Sequence, residues 1–240
     1  MADVIIKKIH TQQKFYLSEN EYQGFRTYRD ALMRKFGPFV EQAVKLTNVP
    51  MLVFQSLLMV ENATSEPQKI SPANAIGLGQ VTLDTAIDII WRENKLKRLS
   101  QEEIAVLRKR MGGKIDLFTG DAAPSINGVQ KMSAGGFFYN PKTGKSLQIP
   151  NLVYADDLKD PEFNLLLSAM MLSQLIDEEI EPVTNLLRLD RVIIRYNRSY
   201  QTKLPRLLTT DQLIAQSPDE SKNYVRKMVG VNGMMSTLSA

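Results

Sequence analysis

Glu61 stands where an acid invites a chemical explanation. Phe54, Leu57 and Leu58 follow the i, i+3, i+4 rule of an amphipathic helix starting near Pro50, and the next position on that stripe, i+7, is Glu61. An acid there either ends the helix at the solvent edge or is held against apolar neighbours. In the second case, lost hydration penalises the charged carboxylate and moves it toward the protonation range of a general acid. Protonating the leaving oxygen of a glycosidic bond is chemistry of that kind. The remaining side chains narrow the field. The chain has no cysteine and one histidine, His10, so an imidazole triad or zinc site would rest on that residue alone. His10 lies in an N-terminal segment without a cluster of partners and receives no role; neither a metal nor a cofactor is called for.

The segment after Glu61, NATSEPQKISPANA, is rich in Ser, Asn, Pro and Thr and reads as a loop; Ile76-Gly77-Leu78-Gly79-Gln80 follows, then a helix from about Thr82 to Trp91. This order resembles the lytic transglycosylase family, with its soluble lytic transglycosylase (goose-lysozyme-like) catalytic domain. That family shows a helix ending in Glu-Ser, a small-residue loop, Gly-Leu-Met-Gln and a helix beginning near Thr-Ala. The matching residues here are Glu61-Asn62, Ser71-Pro72-Ala73-Asn74-Ala75, Gly77-Leu78-Gly79-Gln80 and Thr85-Ala86. Val49-Pro50 resembles the entry to the family's catalytic helix, and Asp160-Pro161 with Asn164 its buried central helix. Tyr196-Asn197 resembles its Ala-Tyr-Asn motif and Asn223-Tyr224-Val225 its closing Tyr-Val element. Each motif alone is weak, but their shared order over about residues 38–230 is specific. The chain departs from the pattern at Asn62 (usually Ser), Asn74 (Gly), Gly79 (Met) and Arg195 (Ala). The loop is also one residue longer than the family's, and these departures bear on substrate contacts more than on the acid.

The resemblance implies a mainly α, lysozyme-like α(+β) fold and cleavage of the β-1,4 bond between N-acetylmuramic acid and N-acetylglucosamine in peptidoglycan. Glu61 would act alone as general acid and then base, the muramic 6-hydroxyl replacing water and giving a 1,6-anhydromuramyl product. In that setting Gln80 would hold an acetamido group or fix the loop backbone. Tyr196 would orient the Glu61 carboxylate or stabilise developing positive charge, unless it is an ordinary buried aromatic. Asn197 would tie the Tyr196 segment together or bind sugar; Ser71 would bond the muramic unit or make the turn before Pro72; Tyr224 reads as packing. A hydrolytic muramidase would instead want a second carboxylate, for which Glu66, Asp84 and Asp88 are available. A non-catalytic wall-binding or structural virion protein on the same fold is the alternative from another class.

These residues need elements to position them, and the composition supplies a globular chain: 240 residues, 43% hydrophobic and 23% charged. Apolar spacing predicts a helix over 20–36 broken at Gly37-Pro38, a second from Pro38 to about Leu46 and a third from about Pro50 to Glu61. Ser100 with Glu103 makes a capping box for a helix of about 101–111, closed by Gly112-Gly113. From 114 to 151 the composition shifts to Gly, Pro, Asn and Ser and predicts an insertion with a hairpin at 136–149 around Pro141-Lys142-Thr143-Gly144. Asp160-Pro161 starts a helix buried nearly all round, whose polar residues over 163–176 are only Asn164, Ser168, Ser173 and Gln174. Further helices are expected at about 182–196, 210–216 and 219–229. The domain plan is an N-terminal helical extension at 1–37, a transglycosylase domain at 38–230 with its insertion at about 92–155, and a flexible tail at 231–240.

The net charge of +4 favours anionic polymers in general. The runs Lys95, Lys97, Arg98 and Arg108, Lys109, Arg110 stand among Glu93, Glu102 and Glu103, which fits a solvated helix face better than specific nucleic-acid binding. No apolar run reaches the length of a membrane span, and MADVIIKKIH does not read as a secretory signal. The expected partners are peptidoglycan strands and, for a phage-particle member, other virion proteins. The expected location is the virion, with delivery to the periplasm or cell wall, or else the cytoplasm until lysis.

Overall fold

Helical spacing of apolar residues over most of the chain gives a mainly helical protein. The computed structural model describes residues 5–6, 19–116, 137–140, 145–148, 153–181, 186–198, 202–230 and 233–235. The chain divides into two compact units, Met1–Ser65 with Ala169–Ala240, and Glu66–Ser168.

In the first unit, a short strand β1 (Ile5–Ile6) precedes α1 (Glu19–Thr47) and α2 (Met51–Glu61). The break expected at Gly37-Pro38 does not occur: Pro38 lies inside α1, and the expected boundary at residue 37 falls within one continuous helix. An interior proline removes a backbone hydrogen bond and costs about 3 kcal/mol. The buried stripe of Leu32, Val40, Ala43 and Thr47 nevertheless continues across it, while Pro38 points to solvent. Burial on both sides of the proline outweighs the local defect. Asn48, in the left-handed region at φ 55, then turns the chain out of α1. Helix α2 packs on α1 and buries Val53, Phe54, Leu57, Leu58 and Met59.

The helix expected at 182–196 begins later. Leu186–Leu187 is a strand, β4, paired in parallel with Ile5–Ile6, and Leu187 also bridges Ile180 in antiparallel sense. Helix α7 (Leu189–Arg198) follows; residues 182–185 lie outside the described set. Tertiary pairing with distant strands overrides the helical spacing of Leu186 and Leu187. From α7, Arg191 and Arg195 reach Glu179 and Glu178, and Arg191 donates to the Leu204 and Pro205 carbonyls at 2.9 and 2.7 Å. Arg195, which stands in place of the family's alanine, is therefore part of a buried ion-pair network. Helices α8 (Thr210–Ala215) and α9 (Asp219–Val229) match expectation, and α9 packs against α7 and α2. The expected loose tail is docked at least at its start: Gly233 N–H donates to the Gly230 carbonyl at 2.8 Å and Met234 is fully buried.

The second unit holds α3 (Leu83–Lys95), α4 (Gln101–Met111), the hairpin β2–β3 (Phe137–Asn140 with Lys145–Gln148) and the short α5 (Ala155–Leu158). Both halves of the Ser100–Glu103 capping box form, and Gly112 at φ 57 closes α4. The antiparallel hairpin lies where it was expected, with Asn140 opposite Lys145; the Pro141–Gly144 turn itself and most of the insertion fall outside the described residues. Arg108, Lys109 and Arg110 pair with Asp116, Glu162 and Asp160, which is the solvated-face reading of that basic run. Helix α6 (Pro161–Glu179) starts with the Asp160 carboxylate accepting the Phe163 N–H at 3.0 Å. The division between the units falls within α6.

Candidate functional site

Glu61 is the last residue of α2, half-buried beyond an apolar face. Its carboxylate is met from α9: Tyr224 Oη donates to Glu61 Oε1 at 2.7 Å. Helix α9 buries Ser221, Tyr224, Val225 and Met228, an i, i+3, i+4, i+7 stripe that carries the phenol inward. Burial, then the Glu61 charge, then the neighbouring Tyr196, then the hydrogen bond hold the Tyr224 hydroxyl well above the ordinary phenol range. Tyr224 is thus a neutral donor wherever proteins work, able to hold a carboxylate in its charged form.

Tyr224, read as packing, is a hydroxyl donor to Glu61. Tyr196 is buried on α7 and close enough to Tyr224 to oppose its ionisation. The available signal was α9's own period, which puts Tyr224 on a buried face where a phenol needs a hydrogen-bond partner. Asn197 ties helices together: its Oδ1 accepts from Ser221 Oγ at 2.7 Å and its Nδ2 reaches Glu220 Oε1 at 3.5 Å. Asn62, the departure beside the acid, is buried. Its N–H donates to the Leu58 carbonyl at 2.9 Å, its side-chain oxygen accepts from Thr64 Oγ1 at 3.0 Å, and its carbonyl accepts from the Ser65 N–H at 3.0 Å. It shapes the turn by which the chain leaves Glu61.

The second unit carries Ser71 and Gln80, in a loop clamped to the start of α6. Buried Asn164 donates through Nδ2 to the Ile76 and Leu158 carbonyls, both at 2.9 Å, and accepts the Gly79 N–H at 2.8 Å. This approach leaves no room for side chains. A Cβ on Gly79 would stand 1.7 Å from Ser168 Oγ, and one on Gly77, at φ +84, would stand 2.5 Å from Asn164 Nδ2. Gly79, a departure from the family's methionine, is required by this packing. Neither Asn164 nor Ser168 had been assigned this clamping role, although two polar residues at i and i+4 on an apolar helix are a visible signal.

Gln80, in the left-handed region at φ 50, donates through Nε2 to the Gly77 carbonyl at 2.7 Å and more weakly to that of Lys69 at 3.4 Å. Of its two expected roles, fixing the loop backbone is the one visible. Ser71 likewise makes a turn: its Oγ accepts the Ala75 N–H at 3.1 Å and its carbonyl the Asn74 N–H at 2.9 Å. Glu66 and Asp84 are exposed and Asp88 pairs with Arg92 at 3.4 Å; all three belong to the second unit. Among the described residues, no group of three or more His, Cys, Asp or Glu could hold a metal ion.

Comparison with protein-family models gives no match, and none of the curated proteins matches the sequence.

Proposed function

We propose that the chain is a peptidoglycan lytic transglycosylase with Glu61 as its single general acid and base. The observation that carries this reading is the 2.7 Å hydrogen bond from Tyr224 to the Glu61 carboxylate, which joins two of the resemblance's motifs. Glu61 protonates the glycosidic oxygen, the bond from the muramic anomeric carbon to that oxygen breaks, and N-acetylglucosamine leaves with the proton. The muramic 6-hydroxyl then attacks the anomeric carbon and gives its proton to the Glu61 carboxylate, so the acid is restored and no water is consumed. Tyr224 supports the middle of this cycle, because a neutral donor stabilises the carboxylate after it has lost its proton.

Mass spectrometry of muropeptides released from purified peptidoglycan by wild type and by Glu61→Gln tests the proposal. Anhydromuramyl products from wild type, reduced about 100-fold or more in the variant with stability near wild type, are expected. Reducing-end muramic acid would replace the proposal with a hydrolytic muramidase, and no product from either protein would leave wall binding or a structural virion role.

A further inference from the structure

We propose that Asn197 and Ser221 act as a clamp that sets the register of α9 on α7 and thereby aims the Tyr224 hydroxyl at Glu61. The inference rests on reading Glu61 as the reactive carboxylate, but it concerns two residues that act through the placement of α9 on α7. Helix α9 is preceded by Pro218, which offers no side-chain cap, so its first turn lacks the usual local anchor. Asn197 supplies one from the neighbouring helix. It accepts from the fully buried Ser221 at 2.7 Å and faces the Glu220 carboxylate at 3.5 Å.

Further along the buried stripe, Val225 and Met228 are buried apolar side chains, and apolar burial is non-directional, so it does not fix register closely. The Ser221 hydroxyl is directional. Ser221 and Tyr224 are three residues apart on one face of α9, so a slide or rotation of the first turn moves the phenol off the carboxylate oxygen. Asn197, expected to bind sugar or tie its own segment, is assigned here as a positioning residue.

Ser221→Ala removes the clamp's donor and Ser221→Thr restores a hydroxyl. On soluble uncrosslinked glycan strands, Ser221→Ala is expected to lower kcat about 10-fold with KM little changed, and Ser221→Thr to recover most of it. In a Tyr224→Phe background the same Ser221→Ala change is expected to add little. An equal loss in both backgrounds would overturn the proposal, because the serine would then act without Tyr224. A second readout needs no turnover: a double-mutant cycle of unfolding free energies for Ser221→Ala and Tyr224→Phe. The two losses are expected to be less than additive, because removing the clamp already weakens the Tyr224–Glu61 bond, and strictly additive losses would also overturn the clamp. Coupled losses in a protein that releases no muropeptide would uphold the clamp and sink the transglycosylase reading instead.

Discussion

A phenol held 2.7 Å from a carboxylate, with both groups drawn from distant parts of the chain, gives Glu61 a defined orientation as well as a charge environment. Tyr224→Phe keeps the ring and deletes the donor. We expect it to cost about 1.5–3 kcal/mol in denaturant unfolding, the worth of a hydrogen bond to a charged group, and to lower turnover by a larger factor than that loss of stability explains. The raised ionisation of Tyr224 also has a signed consequence. A phenol whose folded value lies above its unfolded value near 10 contributes stability that is whole below pH 10 and is lost as pH rises through the folded value. Wild type is therefore expected to lose stability above pH 10 more steeply than Tyr224→Phe, as thermal melts across that range would read. Glu61 was legible because its signal is local, the i+7 position of an apolar stripe. The roles of Tyr224 and Asn197 were not, since each depends on what another helix presents to it.

Helix ends and turns followed their residue chemistry wherever the deciding contacts are close in sequence. The Ser100–Glu103 box and the Asp160 cap join partners three positions apart, the β2–β3 hairpin pairs strands adjacent in sequence, and each formed as expected. Pro38 and Leu186–Leu187 behaved otherwise because burial and pairing with remote segments outweighed local preference. Two substitutions test this balance. Pro38→Ala is expected to raise stability by about 1–3 kcal/mol, since it restores a backbone donor on the exposed side of a helix already held by its buried stripe. A lowered melting temperature would show instead that α1 needs its proline. Gly79→Ala is expected to lose about 1–3 kcal/mol, because the new methyl falls on Ser168 in a helix that has no slack there. The denaturation midpoint of that variant measures how firmly Asn164 and Ser168 hold the loop.

At the scale of the whole molecule, the charge excess is only +4, and the basic run Arg108, Lys109 and Arg110 is engaged with acids. Long-range attraction to an anionic wall polymer should accordingly be weak and screened by salt. Co-sedimentation with purified sacculi is expected to fall as ionic strength rises from about 0.1 to about 1 M, where the screening length shrinks from about 10 to about 3 Å. Cleavage of soluble strands should change much less. Among the described residues no helix is long and apolar enough to cross a membrane, and the helical class expected from composition and periodicity holds. Sequence alone determined the class, most helix spans, the capping residues, the hairpin and the candidate acid, because periodicity and capping act over a turn or two of chain. Tertiary structure alone decided that α1 passes through Pro38, that residues 186 and 187 pair as a strand, and that Tyr224 meets Glu61. The Glu61–Tyr224 contact joins residues 163 positions apart, and only the packing of α9 against α2 and α7 brings such groups within hydrogen-bond reach.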